Sequence, residues 1–516
     1  MVAACFAVMV GQIGIAIPAT LNGLFQEYFH PIGSQLTWIS DAFLLPVVAF
    51  ELTFGVLGDL FGRRRLLMIG GALLTIGEAL AAAAPNVQLL WISQAVSGLG
   101  AGALFPTSLA MVAAATHTPH ARARAIAIWA GFLSAGGFIA PILGGITGTY
   151  GSWRWAFIIV AVLAAFSILL TMRADDSSAP EGRSLDWAGQ TTLALGLIAL
   201  LYAVIQGPTF GWGDPRIVIG FVVAAVLLAA FVAVERRVSA PLLRLDLFKN
   251  RAFAVASVVT VIGMFSFLGT AYAVSIRLGP IQHQSTMRTA VPFLLLQGPA
   301  FVLIPVIERL LQRTNPRWLL GAGFLLIALG DFLAIRLDIT DTALTSLIIP
   351  IGLVGVGFAL AVSSITSASI NTVPLHYAGM ASATTNLLRD FGFTLGPALV
   401  GAVALSQAAK SFSTNLVHAA LPADQVHAAQ AVAKAGGPLA VNGLEPGQTG
   451  SAAHQAAMSA LGHGYTIGFT LCAIAALVAA VLTLIAMQGG AHDHAVEHES
   501  LFDEGAVPVD VPLPHE

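Results

Sequence analysis

Apolar runs follow one another along the whole chain, separated by short polar breaks. A run of about 20 apolar residues suffices for a helix to cross roughly 30 Å of hydrocarbon. By that criterion about fourteen spans are predicted, near residues 3–24, 36–57, 67–85, 89–114, 125–147, 154–172, 188–206, 216–234, 252–275, 289–307, 319–337, 343–368, 379–405 and 464–487. The expected fold class is therefore all-α and integral to a membrane. The polar breaks divide the chain further. The stretch Arg173 to Trp187, RADDSSAPEGRSLDW, reads as a proline-bearing connector. In ERRVSAPLLRLDLFKNR, residues 235–251, apolar and cationic residues alternate, as expected of a segment lying on the lipid surface with its Lys and Arg snorkelling. Residues 406–463 are rich in Ala, Gly, Gln and His, and the stretch GGPLAVNGLEPGQTG within them predicts a flexible break between weak helices.

The pattern is duplicated. Laying Gly55 on Glu308 (308 − 55 = 253) brings Leu57 onto Leu310, Asp59 onto Gln312, Gly62 onto Asn315 and Arg64 onto Arg317. Pro119 and Ala123 fall on Pro374 and Ala378 at 255, and Gly136, Ala140, Pro141 and Gly145 fall on Gly392, Gly396, Pro397 and Gly401 at 256. The expected organisation is a six-helix half over 1–172 and a linker with two inserted spans over 173–251. A second six-helix half covers 252–487, including the loop 406–463, and a His-rich acidic tail covers 488–516. Doubled transporters of this kind bind substrate near the midplane, between the halves.

Composition narrows the classes. With 57% hydrophobic and only 9% charged residues in 516, the chain is no soluble domain. A net charge of −3, with the basic residues scattered among short loops, gives no footprint for nucleic acid. If the N-terminus is cytoplasmic, fifteen of the 23 Lys and Arg fall in inner loops, which places both termini inside by the positive-inside rule. Cys5 and Cys472 lie in different spans and read as packing residues, without disulfide or metal spacing. The first apolar run lacks a basic lead-in and a clear cleavage signal, so it reads as a span. In the tail, His492, Asp493, His494, His498 and Glu499 suit a solvated acidic segment better than a metal site, since no fold fixes a ligand. No phosphate loop, HExxH or GxSxG signature occurs, so neither an enzyme nor a cofactor is expected.

Between the second and third runs stands a glycine-broken, tribasic turn, Gly55-Val56-Leu57-Gly58-Asp59-Leu60-Phe61-Gly62-Arg63-Arg64-Arg65. It resembles the loop G-x-L-a-D-r-x-G-r-k of the major facilitator superfamily at Gly55, Leu57, Asp59, Gly62, Arg63 and Arg64, and departs at Leu60. Further matches are similar to the fourteen-span drug:proton antiporters of that superfamily. They are Gly136-x-x-x-Ala140-Pro141-x-x-Gly144-Gly145, Trp153-Arg154-Trp155-x-Phe157, Asp186-Trp187-x-Gly189, Pro241-Leu242-x-x-Leu245-x-Leu247-Phe248, and Ala378-Gly379-x-Ala381-Ser382 with Asn386, Arg389 and Gly392. The resemblance implies a major facilitator fold of two six-helix bundles plus two inserted central helices. It also implies multidrug efflux by alternating access, with small hydrophobic or cationic substrates and protons as the partners. A monomer in the inner membrane of a bacterium is expected. A proton-independent carrier and a non-transporting sensor or scaffold are the alternatives.

Read from the residues, the small side chains of span five admit a close neighbour, and Pro141 removes one helical hydrogen bond. Gly136, Pro141, Gly144 and Gly145, with Gly396 and Pro397 in the other half, are the candidate hinges, with plain tight packing as the alternative. Asp59 with Arg63 and Arg64 is expected to latch the cytoplasmic face, the carboxylate capping a helix N-terminus and pairing with Arg. Charges within spans cost about 2.5–3.5 kcal/mol at a helix centre, and a carboxyl buried without a full partner can carry a proton. The candidates are Asp390 first, then Glu78, with Asp41, Glu51 and Asp331 behind them; Arg389 stands beside Asp390. Span one departs from the antiporter pattern at Met9 and Gly14, and Gln94 stands where that family has Arg. Either the proton relay differs from the usual one or coupling is absent.

Overall fold

In lipid every backbone polar group must be satisfied within its own segment, so apolar runs of this length become helices. The computed structural model describes residues 1–116, 118–178, 185–238, 241–370, 372–373, 378–418, 422–443 and 451–487. Among them no strand occurs. The first bundle holds α1 (Val2–Phe29), α2 (Gln35–Phe61), α3 (Arg63–Ala83), α4 (Val87–Ala114), α5 (Pro119–Tyr150) and α6 (Trp153–Thr171). The inserted pair is α7 (Trp187–Phe210) and α8 (Pro215–Glu235). The second bundle holds α9 (Arg251–Ile276), α10 (Thr286–Val302) with α11 (Ile304–Arg313), α12 (Pro316–Ala334), α13 (Thr345–Ile370), α14 (Ala378–His418) and α16 (Ser451–Ala486), with α15 (Ala423–Asn442) before the last. Among the described residues, 13 helices are long and apolar enough to cross a membrane, or 14 if the bent pair α10–α11 is one span.

The two bundles repeat one packing scheme. In the first, α1 packs on α5, α2 on α4, α3 on α4 and α6; in the second, α9 packs on α14, α10 on α13, α12 on α13 and α16. Without a hydrophobic drive between helices in lipid, small residues at crossings supply the contact. A Cβ on Gly70 would stand 2.9 Å from the Gly100 carbonyl oxygen, and one on Gly323, at offset 253, 2.6 Å from that of Gly357. A Cβ on Gly98 would overlap the Phe43 carbonyl, and one on Gly355 that of Leu295. The duplication extends to the caps, since Gly62 precedes α3 and Asn315, also at offset 253, precedes α12.

The structure corrects four expectations. The tenth span is not one straight helix: α10 and α11 meet at Leu303 at 51°, next to Pro299 and Pro305. The span expected to end at 405 continues as α14 to His418. Its extension is supported by a small apolar core of Phe412, Leu416, Ala429, Val441 and Ala457 shared with α15 and α16. The Gly-Pro stretch is helical as far as Asn442, kinked at Gly437 (φ 76°). The lipid-surface segment is only partly so: Leu243 and Leu247 are buried and Lys249 is exposed. Arg183, Pro374 and the tail residues His492, Asp493, His494, His498 and Glu499 lie outside the described residues.

These crossings generate a stability prediction. Gly98→Val and Gly355→Val each force two backbones apart and are expected to cost at least about 1–3 kcal/mol. The check is a lowered thermal midpoint and a broadened gel-filtration peak in detergent. Gly352→Ala, where a Cβ meets nothing within 4 Å, should behave as wild type.

Candidate functional site

Between the bundles lies a cavity of about 870 Å³. On α2 its wall is a stripe of every third or fourth residue, Ser40, Leu44, Val47, Glu51, Gly55 and Asp59, the spacing of one helix face. From the second bundle come Tyr272, Phe358 and, on α14, Asn386, Arg389, Asp390 and Pro397. The wall reaches Ala114 and Arg122 at one end, the end that also carries Arg63 and Arg244, so the cavity opens on the basic face.

At the opposite end the bundles are joined. Asn22 Nδ2 donates to Ser275 Oγ at 2.8 Å, and the Thr37 and Tyr272 hydroxyls lie 2.7 Å apart. Thr286 Oγ1 donates to the Gly145 carbonyl at 3.2 Å, and the Gly23 and Gly279 backbones touch. The end of α15 crosses this joint. Gly33 N donates to Gly436 O at 3.1 Å, and Asn442 Nδ2 donates to the carbonyls of Pro280 and Ile281 at 3.2 and 3.1 Å.

The charged residues within spans divide into two groups. Arg389 and Asp390 line the cavity, with Nε donating to Oδ1 at 2.8 Å. Facing them from the other bundle is Glu51, buried and close enough to feel both charges, with Oε2 unpartnered among the described residues. Glu51 is the residue that sequence reasoning undervalued; its signal is the 51, 55, 59 spacing, which aligns it with the turn motif. By contrast Glu78, Gln94 and Asp331 are fully buried inside the bundles, and Asp41 is fully buried near Tyr272 of α9, at the joint; all four lie off the cavity wall. Neither oxygen of Asp41 has a hydrogen-bond partner among the described residues. Glu78 and Asp331 are equivalents across the duplication (331 − 78 = 253). The longer acid points at Gly14, and the shorter one accepts from Thr270 Oγ1 at 2.7 Å.

The tribasic turn is built differently from its expected form. Asp59 does pair with Arg63, whose Nη2 donates to Oδ1 at 2.7 Å. The N-terminus of α3, however, is capped by the exit from α6: Arg63 N donates to Ser177 O at 2.9 Å and Arg64 N to Asp176 Oδ1 at 3.1 Å. Arg64 Nη2 donates to Met172 O at 2.7 Å. Gly62 turns the chain at φ 100° with the Asp176 carboxylate where a Cβ would be, so both its backbone and its space exclude larger residues. Gly55, Asp59 and Arg63 line the mouth of the cavity and Arg64 does not.

The small residues of α5 and α14 face their partners. A Cβ on Gly136 would stand 2.5 Å from Met9 O, one on Gly145 2.9 Å from Ala290 Cβ, and one on Gly396 2.6 Å from Gly269 N; Gly144 abuts Thr20. Pro141 and Pro397 both line the cavity, inside helices that continue through them.

Known proteins are similar to this chain in sequence and in architecture. The chain is 30% identical over 437 residues to the multidrug resistance protein Stp of Mycobacterium tuberculosis (strain CDC 1551 / Oshkosh), covering 84% of this chain and 80% of that protein. It is 28% identical over 504 residues to the tetracenomycin C resistance and export protein of Streptomyces glaucescens, covering 95% and 92%. Its fold is similar to a crystal structure of a bacterial homolog to the human lysosomal transporter Spinster, in an inward-facing and unoccupied conformation. That likeness has a TM-score of 0.63 at 15% identity and covers 95% of this chain and 97% of the other. The family described as Major Facilitator Superfamily matches residues 2–397. With a doubled helical bundle around a central cavity, this multi-pass membrane protein belongs to the Major Facilitator Superfamily.

Proposed function

We propose that the chain exports small hydrophobic or cationic compounds across a bacterial inner membrane in exchange for protons, as a monomer. One observation carries the reading: two carboxyl groups from opposite halves, Glu51 and Asp390, face one guanidinium, Arg389, across the cavity. With both acids ionised, one negative charge lacks a counterion at a site where Glu51 and Asp390 are buried. A proton or a cationic substrate can each neutralise it, and that competition is the basis of antiport. The names of the relatives, which speak of multidrug resistance and of export, support the direction of transport. The positive-inside rule puts the basic face and both termini in the cytoplasm, so the cavity faces inward in this conformation. The Asp59–Arg63 pair, held between α2 and α3 beside Ala110 O of α4, would then set the balance between inward and outward states.

Purified protein in liposomes with an imposed pH gradient tests the reading, with ethidium as the probe. Gradient-driven uptake into inside-out vesicles, with counterflow of protons, is expected. Flux that ignores the gradient would establish a proton-independent carrier instead, and no flux of any tested cation would favour a sensor or scaffold.

Two sets of variants refine it. Asp390→Asn and Glu51→Gln are each expected to leave ethidium binding measurable while abolishing proton counterflow; coupling retained in both rejects the acid pair. Asp59→Asn removes a charge-assisted hydrogen bond of about 1.5–3 kcal/mol. It should keep expression normal and lower flux by roughly tenfold or more, since about 1.4 kcal/mol is a factor of ten. Wild-type flux in that variant would sink the latch.

A further inference from the structure

The inserted pair α7–α8 carries two acids that the proposed transport cycle leaves unused. Asp186 precedes α7 and Glu235 ends α8, so both stand at the basic end of the molecule. They are 6% and 4% exposed. One oxygen of each is fixed by a backbone amide: Asp186 Oδ1 accepts from Gly189 N at 2.8 Å, and Glu235 Oε2 accepts from Leu243 N at 2.9 Å. The other two, Asp186 Oδ2 and Glu235 Oε1, have no partner among the described residues. Both point at one spot. A Cβ on Gly189 would overlap each of them, and the two carboxyls lie within hydrogen-bond reach of each other.

Two buried carboxyls at that separation do not both ionise. No neighbouring cation relieves them, since Asp186 is the charged group that bears on Glu235. Of the other charges on the elements around the pair, Arg236 and Arg237 are exposed and Arg244 lines the cavity. Asp246 and Lys249 bond to each other in the open. On α2 and α14, which pack on α7, Glu51, Arg389 and Asp390 face the cavity and Asp59 pairs with Arg63. A metal ion needs more oxygens than the two that converge here, and no third ligand joins them among the described residues. A proton fits. The helix ends decide which acid holds it: the positive N-terminus of α7 favours charge on Asp186, and the negative C-terminus of α8 disfavours charge on Glu235. Glu235 Oε1 then donates to Asp186 Oδ2.

We propose that Asp186 and Glu235 bind one proton between them, and that this proton holds the lip of the cavity in place. The lip is the segment that follows α8. Pro241, Leu242 and Arg244 line the cavity, and Leu243 between them hangs on Glu235 while its side chain is buried against α2 and α7. With the proton bound, one charge-assisted bond joins α7, α8 and the lip. Once it leaves, two negative charges repel across the same joint. The packed form holds the extra proton, so the joint is firm at low pH and weakens as pH rises through the titration of the pair. The pair stands off the cavity wall, and its existence does not depend on the export reading.

Infrared spectra of the full chain in bilayers test the proton. Glu235→Gln keeps the acceptor for Leu243 N and offers an amide donor to Asp186, so the lip stays anchored while the proton is gone. Wild type minus this variant, at neutral pH, is expected to show the loss of one protonated-carboxyl C=O band. Asp186→Asn, which still caps α7, is expected to move or abolish that same band. No band lost in Glu235→Gln, or a band unchanged by Asp186→Asn, overturns the shared proton. A spin label at Leu242→Cys reads the lip, the native Cys5 and Cys472 being buried. Raising the pH from about 6 to about 9, the range in which a buried, paired carboxyl gives up its proton, is expected to speed the label several-fold in the otherwise wild-type chain and to leave it slow throughout in Glu235→Gln. An equal rise in both chains, or none in either, overturns the hold on the lip. A label slowed at high pH by added sodium or calcium would put a metal ion in the place of the proton and overturns the proposal as well.

Discussion

The whole structure depends on helices touching backbone to backbone. In a bilayer, apolar side chains gain nothing by leaving lipid for one another, so cohesion comes from close packing. The chain supplies it at glycines whose hydrogens face a neighbouring carbonyl, Gly70 on Gly100 and Gly98 on Phe43, and then again at Gly323 on Gly357 and Gly355 on Leu295. Because the same crossings occur in each half, each bundle is a tight unit. The joint between the bundles is made of hydroxyl and carbonyl contacts at the outer end, the apolar cluster under α7 and the Phe138–Phe301 ring pair. Two tight halves meeting at a separate joint suit rocking about a midplane.

Charge is distributed to match. Acids that lie within one bundle, such as Glu78 and Asp331, are locked in its packing and repeat across the duplication. Glu51, Arg389 and Asp390 instead meet at the cavity, between the two halves. A charge cluster shared by two moving bodies makes their separation sensitive to what neutralises it; a cluster within one body does not.

The inserted pair α7–α8 changes the symmetry of the assembly. It covers the α2–α14 seam with a buried cluster that includes Leu193, Leu197 and Leu201 of α7, while the α5–α10 seam is held by the Thr149–Thr286 hydroxyl pair and the stacked rings of Phe138 and Phe301.

The sequence by itself determined the helical class, the approximate spans, the duplication and the turn motif, because each is local. Span length answers to bilayer thickness, and Gly62 answers to a backbone angle that only glycine adopts easily. It also named Asp390 and Arg389, whose expense in a span is visible in any register. Only the tertiary structure decided which of the buried acids face the cavity, since spans that are apolar all round carry no stripe to reveal their rotation. That is why Glu78 stood beside Asp390 as a candidate, and why Glu51 ranked too low. The cap on α3 came from Asp176, more than a hundred residues away along the chain, and the bend after Val302 needed the neighbouring bundle to show where it leads. Contacts between distant segments set these features, and no local pattern records them.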